Sequence, residues 1–318
     1  MSAQPTTPHL LSGDPHRRRR EATIRRLLMM AAGGSIVVST LIVLSLLGDS
    51  FDFLKFLVVG DSTSAAPGLG ALLSDRGWRP SALAFDLRTI FVATGIISGV
   101  AMLVAAPLGI GSAVYLSEYA RPRVRRTVKP VLEILAGVPS VVIGFFALTV
   151  LTPDLVQRIF STANTFNMLA AGIGVGILVT PLTASIAEDA LRAVPMALRE
   201  ASTGLGARKR TTILKVVVPA AMSGIVAAVI VSVSRAIGET MVVTIAAGGS
   251  GSAPFTASPF DPSLTMTSAI ANLATGSDAP TVGDPFASLY FVGLLLFLST
   301  LGLNVLGDRI VRKYRKAY

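Results

Sequence analysis

Apolar residues in this chain gather into long uninterrupted runs instead of alternating with polar ones. The first uncharged run covers 27–47, long enough to cross a bilayer at about 1.5 Å per residue. Further uncharged stretches lie at 89–117, 134–153, 159–187, 216–234 with a continuation to about 247, and 285–307. They predict six spans, near 27–47, 89–117, 131–151, 168–187, 218–246 and 286–307. Membrane β-strands are about 10 residues of alternating polarity, and these runs are twice as long and apolar throughout. Gly95, Gly99, Gly109, Gly111, Gly172, Gly174 and Gly176 suit close helix approach in lipid. The expected fold is an all-α polytopic membrane protein.

Residues 1–26 are polar and end in Arg17 to Arg20, Arg25 and Arg26, which predicts a flexible basic tail. Arginines before an apolar run also fit a twin-arginine or secretory signal. The run is longer than a usual signal core and no convincing small-x-small cleavage site follows it, which favours an uncleaved first span.

Charge placement sets the expected orientation. Of 28 basic residues, 22 fall in the tail, in 118–130, in 188–215 and at the C-terminus, all on one side if there are six spans. The loop at 248–285 has no basic residue and carries Asp261, Asp278 and Asp284. Both termini are therefore expected in the cytoplasm, with the basic faces toward anionic lipid. Of the two outer loops that matter, 48–88 holds the only tryptophan, Trp78, either a partner contact or an aromatic anchor at the headgroups. In 248–285 only 264–274 has the composition of a helix.

Overall composition narrows the chemistry. The chain is 52% apolar and only 14% charged, against about a quarter charged in soluble domains, so a water-soluble enzyme is excluded. The net charge of +10 is absorbed by topology and does not call for nucleic acid. There is no cysteine, and the two histidines, His9 and His16, lie in the tail, so thiolate chemistry and an intramembrane histidine ligand are both ruled out; no metal site is expected.

The segment 195–219, PMALREASTGLGARKRTTILKVVVP, is the most informative. Pro195 suits a first helical position, and Gly204 and Gly206 suit a helix end. A second basic helix is expected from about Arg208 to Val218, with Pro219 resetting the chain before the fifth span. An interfacial helix on lipid is one reading of this segment. The other comes from a resemblance. Glu200-Ala201-Ser202, then Gly206, then Val216-Val217-Val218-Pro219 resembles the EAA loop of ABC importer permeases, with Ser202 in place of the usual second alanine. The resemblance implies a coupling helix that docks on a separate ATPase subunit through Glu200, Ala201, Ser202, Gly206 and Pro219.

Arg235 and Glu239 stand i, i+4 inside the fifth span, on one helical face. A charge at that depth costs about 2.5 kcal/mol or more and faces a cavity or a partner. One reading is a self-neutralising pair. The other is an anion site, since guanidinium offers a fork of donors matched to phosphate-type oxyanions. A carboxylate acceptor beside it favours hydrogen phosphate over fully deprotonated sulfate.

SRAIGETMVVTIAAG in this span, PLGIGSAVYLSEYARP after the second and LEILAGVPSVVIGFF in the third are similar to the phosphate-specific permease family of the PstC type, over residues 25–316. That resemblance implies the type I, MetI-like importer fold. It implies a pore-forming subunit that moves inorganic phosphate across the bacterial cytoplasmic membrane. It also implies a PstA-type sister permease, two PstB-type ATPase subunits and an external PstS-type phosphate-binding protein. The chain has no G-x-x-x-x-G-K-[ST] pattern, so ATP-Mg belongs to the partners and no enzymatic role or cofactor is expected of this chain. Gly137, Pro139 and Ser140 sit where that family bends its third span. Pro139 frees a backbone carbonyl that could line a pathway with Ser140, or the bend only serves packing. Alternatives left open are the PstA-type sister, a sulfate or molybdate permease, and a secondary anion transporter, which would leave the EAA loop unexplained.

Overall fold

The computed structural model describes residues 15–59, 67–249, 251, 254–276 and 284–314. Its long helices are α1 (Pro15–Val59), α2 (Leu87–Val114), α6 (Met168–Arg192), α10 (Met222–Ile237) and α13 (Ser288–Tyr314). Between them lie α3 (Pro122–Ala136), α4 (Ser140–Phe146), α5 (Gln157–Ile159), α7 (Met196–Gly204), α8 (Lys209–Thr212), α9 (Val218–Ala220), α11 (Met241–Ala246) and α12 (Met266–Ala274). Five stretches are long and apolar enough to cross a membrane, and a sixth is a pair of helices, Lys209–Ala220 and Met222–Ile237, bent by 66°. The described residues thus hold five such helices, or six spans where the bent pair counts as one, in line with the six apolar runs.

Three spans differ from expectation in informative ways. The first helix starts at Pro15, so the part of the expected tail from that residue on is helical, and 1–14 lie outside the described residues. The third span is Ser140–Ile159 and not 131–151. Leu132, Ile134 and Leu135 belong to α3, a separate helix with basic and apolar sides that stops at Gly137. Pro139, extended at ψ 132°, then caps α4. The apolar count had run these two helices together. The fifth span is interrupted at 238–240, between α10 and α11, and bends again at Ala221 just beyond Pro219.

Small residues set the packing. Helices α2 and α6 run side by side, and a methyl group added at Gly172 or Gly176 would lie only 2.6 Å and 2.7 Å from the Cβ atoms of Val100 and Val104. A methyl on Gly109 would meet Thr183 in the same way. Gly144 of α4 and Gly174 of α6 both close on Val242 of α11. Small residues therefore let four spans share one core around Ile97, Ala101, Val175, Val179 and Val242. Residues 21–42 of α1, by contrast, are exposed throughout, and only its later part packs, with Leu46 against Gly293 of α13.

The end remote from the basic loops carries a second core. Trp78 is buried there with Phe53, Phe56, Phe85, Leu264 and Phe291, its ring 5.7 Å from that of Phe85. The expectation of a headgroup anchor fails, because the Trp78 ring is buried in this core. A two-stranded hairpin, β1 (Trp78–Arg79) and β2 (Ala84–Phe85), delivers the tryptophan inward. The helix expected near 264–274 is α12.

Candidate functional site

Arg235 lies in the last turn of α10, about 20 Å along the helix axis from Met222 at 1.5 Å per residue, just before the break at 238–240. Its guanidinium Nη1 lies 3.2 Å from Glu239 Oε2. The two side chains differ sharply in environment: Arg235 is 51% exposed and Glu239 only 3%. A cation so open on the face of an apolar span is only partly compensated by Glu239, and its exposed donors are suited to a further polar neighbour. Glu239 is fixed from its other side, because the span breaks at this residue. Its Oε1 accepts from Val242 N at 3.5 Å, at the start of α11, and its own carbonyl accepts from the Thr267 hydroxyl at 2.8 Å. The acid is thus held in place while the base is presented.

Pro139 and Ser140 lie at the start of α4, Pro139 exposed and Ser140 half-buried. One turn later Gly144 packs on Val242, three residues beyond Glu239. Spans three and five run in the same direction, so this packing sets the α4 start at the level of the 238–240 break. The bend at Pro139 and the interruption after Arg235 therefore occur at similar depth in neighbouring spans.

The 195–219 loop starts its helix one residue later than expected, at Met196. Pro195 caps α7, and the helix ends in a Schellman arrangement, with Gly206 N donating to Thr203 O at 2.9 Å and Ala207 N to Ser202 O at 3.2 Å. Gly206 has φ +80°, which explains the glycine of the motif by backbone geometry alone. Gly206→Ala should destabilise this turn by about 1 kcal/mol, read as a lower thermal midpoint of the purified protein. Glu200 and Ala201 are exposed, as are Met196 and Leu205, so α7 offers a partner both charge and apolar side chains. Ser202 points the other way: its hydroxyl lies 2.9 Å from that of Thr212, tying α7 to α8. Pro219 is exposed in α9, directly before the 66° bend.

Two ion pairs that the sequence did not single out anchor this region. Arg199 of α7 donates through Nη1 to both carboxylate oxygens of Glu118, at 2.7 and 2.6 Å, and through Nη2 to Leu191 O at 2.8 Å. Glu118 belongs to the wide turn that ends the second span, and Leu191 to the end of α6. A cavity of about 800 Å³ opens between these groups and Lys209. In the second pair, Glu188, 1% exposed, meets Arg125 at 2.7 Å and Lys129 at 3.5 Å. The available signal, for Glu118 alone, was a single acid within the strongly basic segment 118–130, which needs a cation partner when buried. Among the described residues no group of three or more His, Cys, Asp or Glu is placed to hold a metal ion.

Comparison with known proteins agrees with this arrangement. Residues 105–316 match the family model described as "Binding-protein-dependent transport system inner membrane component". The chain is 32% identical over 282 residues to the phosphate transport system permease protein PstC of Mesorhizobium japonicum, covering 82% of this chain and 83% of that one. It is 41% identical over 169 residues to the "Probable ABC transporter permease protein YqgH" of Bacillus subtilis, a match that spans 53% of each. Among solved structures it resembles a chain of the MetNI methionine ABC transporter in an inward-facing conformation, with TM-score 0.55 at 20% identity over 80% of this chain and 100% of that one. It also resembles a chain of a bacterial ABC transporter that imports the acidic polysaccharide alginate, with TM-score 0.61 at 14% identity over 94% and 100%. These structural likenesses establish the MetI-like fold.

Proposed function

The chain belongs to the family of binding-protein-dependent transport system inner membrane components, and from that membership we propose that it is a pore-forming subunit of an ATP-driven phosphate importer. It is a multi-pass inner-membrane permease subunit of an ABC transporter and not itself an enzyme. The observation that carries the substrate assignment is Arg235, half-exposed beside the interruption of the fifth span and paired with a buried Glu239. The pair leaves guanidinium donors free for an oxyanion, and its carboxylate favours an anion that still carries a proton. Similarity to PstC permeases supports phosphate over other oxyanions.

In this proposal the sister permease covers the open face of Arg235, and together the two chains form the pathway, with Pro139 and Ser140 beside it. Two ATPase subunits engage the α7 surface through Glu200 and Ala201, and an external phosphate-binding protein delivers the anion at the opposite end. Both termini are cytoplasmic. Binding and closure of the ATPases pull on α7 and alternate the exposure of the arginine, so the chemistry is vectorial and no bond is made or broken in the anion.

The test is labelled phosphate uptake by the assembled complex in vesicles. Arsenate, which matches phosphate in charge and shape, should compete, and sulfate in equal excess should not. Competition by sulfate or molybdate would move the assignment to another oxyanion. Uptake that continues with no ATPase present would remove the importer assignment.

A further inference from the structure

Helix α12 is short and enters the fold from the end remote from the basic loops, yet its first turn is buried to the depth of Glu239. Met266, Thr267, Ser268 and Ala269 are all buried, while the chain beyond it at Thr275 is exposed. Such a helix needs a polar lining for its free first-turn N–H groups. Thr94 of α2 accepts from Met266 N at 3.1 Å, and Thr265 caps the helix by accepting from Ser268 N at 3.3 Å. Two more hydroxyls act outside α12. Thr267 donates to the backbone carbonyl of Glu239 at 2.8 Å, and Ser268 lies 2.8 Å from the Thr244 hydroxyl on α11. One bond reaches the interruption at 238–240 itself, the other the helix that follows it.

This placement matters because the interruption removes the ordinary partners of the local backbone. A carbonyl at the end of α10 has no following turn to accept from, so an unmet acceptor here would be costly. The Thr267 hydroxyl supplies the missing donor. It thereby fixes the backbone from which the Glu239 carboxylate reaches Arg235.

We propose that Thr267 is a positioning residue for Glu239, with Ser268 as its second tether, so that α12 sets the geometry of the anion pair. This inference rests on the assignment of Arg235 and Glu239 as the anion site. Behind α12 the chain is tied down again. Asn272 donates to Gly249 O at 2.6 Å, and Ser263 N donates to Ala247 O at 3.2 Å. Further back, Asp261 accepts from Asn164 at 3.0 Å and from Thr256 at 2.8 Å. The helix is thus braced against the remote end of the molecule and applied to the pair from there.

The experiment measures phosphate transported per ATP hydrolysed, in vesicles holding the full complex with its external binding protein. Thr267→Val removes the donor while keeping the shape, and Thr267→Ser retains the donor. Loss of one buried hydrogen bond should lower the transport ratio by about fivefold or more in Thr267→Val, with ATP hydrolysis retained, because α7 is untouched. Thr267→Ser should restore the ratio. A merely structural role would lower hydrolysis and transport together, through loss of assembled complex, and would leave the ratio unchanged. An unchanged ratio in Thr267→Val, or an equal fall in Thr267→Ser, overturns the proposal. Should Thr267→Val not assemble, Ser268→Ala decides by the same ratio. Arg235→Gln in the same assay separates the two levels. If it loses uptake while Thr267→Val keeps a normal ratio, the anion site stands and the positioning role falls; if it transports normally, both fall.

Discussion

Arg235→Gln should abolish phosphate uptake while the subunit still assembles with its partners. Two charge-assisted hydrogen bonds to the anion are lost, at about 1.5–3 kcal/mol each, which amounts to a hundredfold or more in transport. Arg235→Lys keeps the charge without the planar fork and should fall between the two. The competing account of the pair, mutual neutralisation, is separated by the double variant Arg235→Gln with Glu239→Gln. If the pair only cancels its own charge, removing both charges restores uptake, since no unpaired carboxylate remains buried. If Arg235 meets the anion, the double variant stays inactive. Capture of the ATPase by each variant shows that assembly has survived.

Arg199→Gln should uncouple the α7 loop from the membrane spans. The change leaves Glu118, 7% exposed, without its cation. Breaking a buried pair by removing one partner costs about 3–5 kcal/mol, and the lower end applies because Arg199 keeps some contact with solvent. The expected result is a clear drop in the thermal midpoint of the purified complex and a loss of transport driven by ATP. Glu118→Gln added to Arg199→Gln should recover part of the midpoint, because it removes the orphaned charge. It should not recover coupling, because the strut itself is absent. An unchanged midpoint in the single variant would mean that the contact carries no load.

Much of this was legible in the residues themselves. Six apolar runs with basic segments on one side predict six spans, and Gly206 marks the end of α7 because no other residue takes its backbone angle without strain. Arg235 and Glu239 announced themselves as charges at a depth where charges are rare. The third span was misplaced because hydropathy does not register a helix break: Leu132, Ile134 and Leu135 count as apolar whether they cross a membrane or line one side of α3. Trp78 was misjudged for a related reason. A loop rich in glycine and proline gives no sign that a hairpin will turn its tryptophan into a core shared with α1, α12 and α13. The Arg199–Glu118 and Arg125–Glu188 pairs join residues 81 and 63 positions apart, and no local pattern encodes such partners. The role of Thr267 is hidden in the same way, since only the fold brings it to the interruption at Glu239.

The glycines of α2 and α6 interlock these helices along their length, and Arg199 clasps both at one end through Glu118 and Leu191. Two rods joined in this manner cannot slide past each other or be pulled singly. A push on α7 reaches them as torque on a single stiff lever. The compliance that any such swing requires is concentrated where backbones are already interrupted: after Gly137, at Ala221, and between Gly238 and Thr240. Two of those three hinges adjoin residues of the proposed anion path, so in that proposal the points that yield are also the points that hold the cargo.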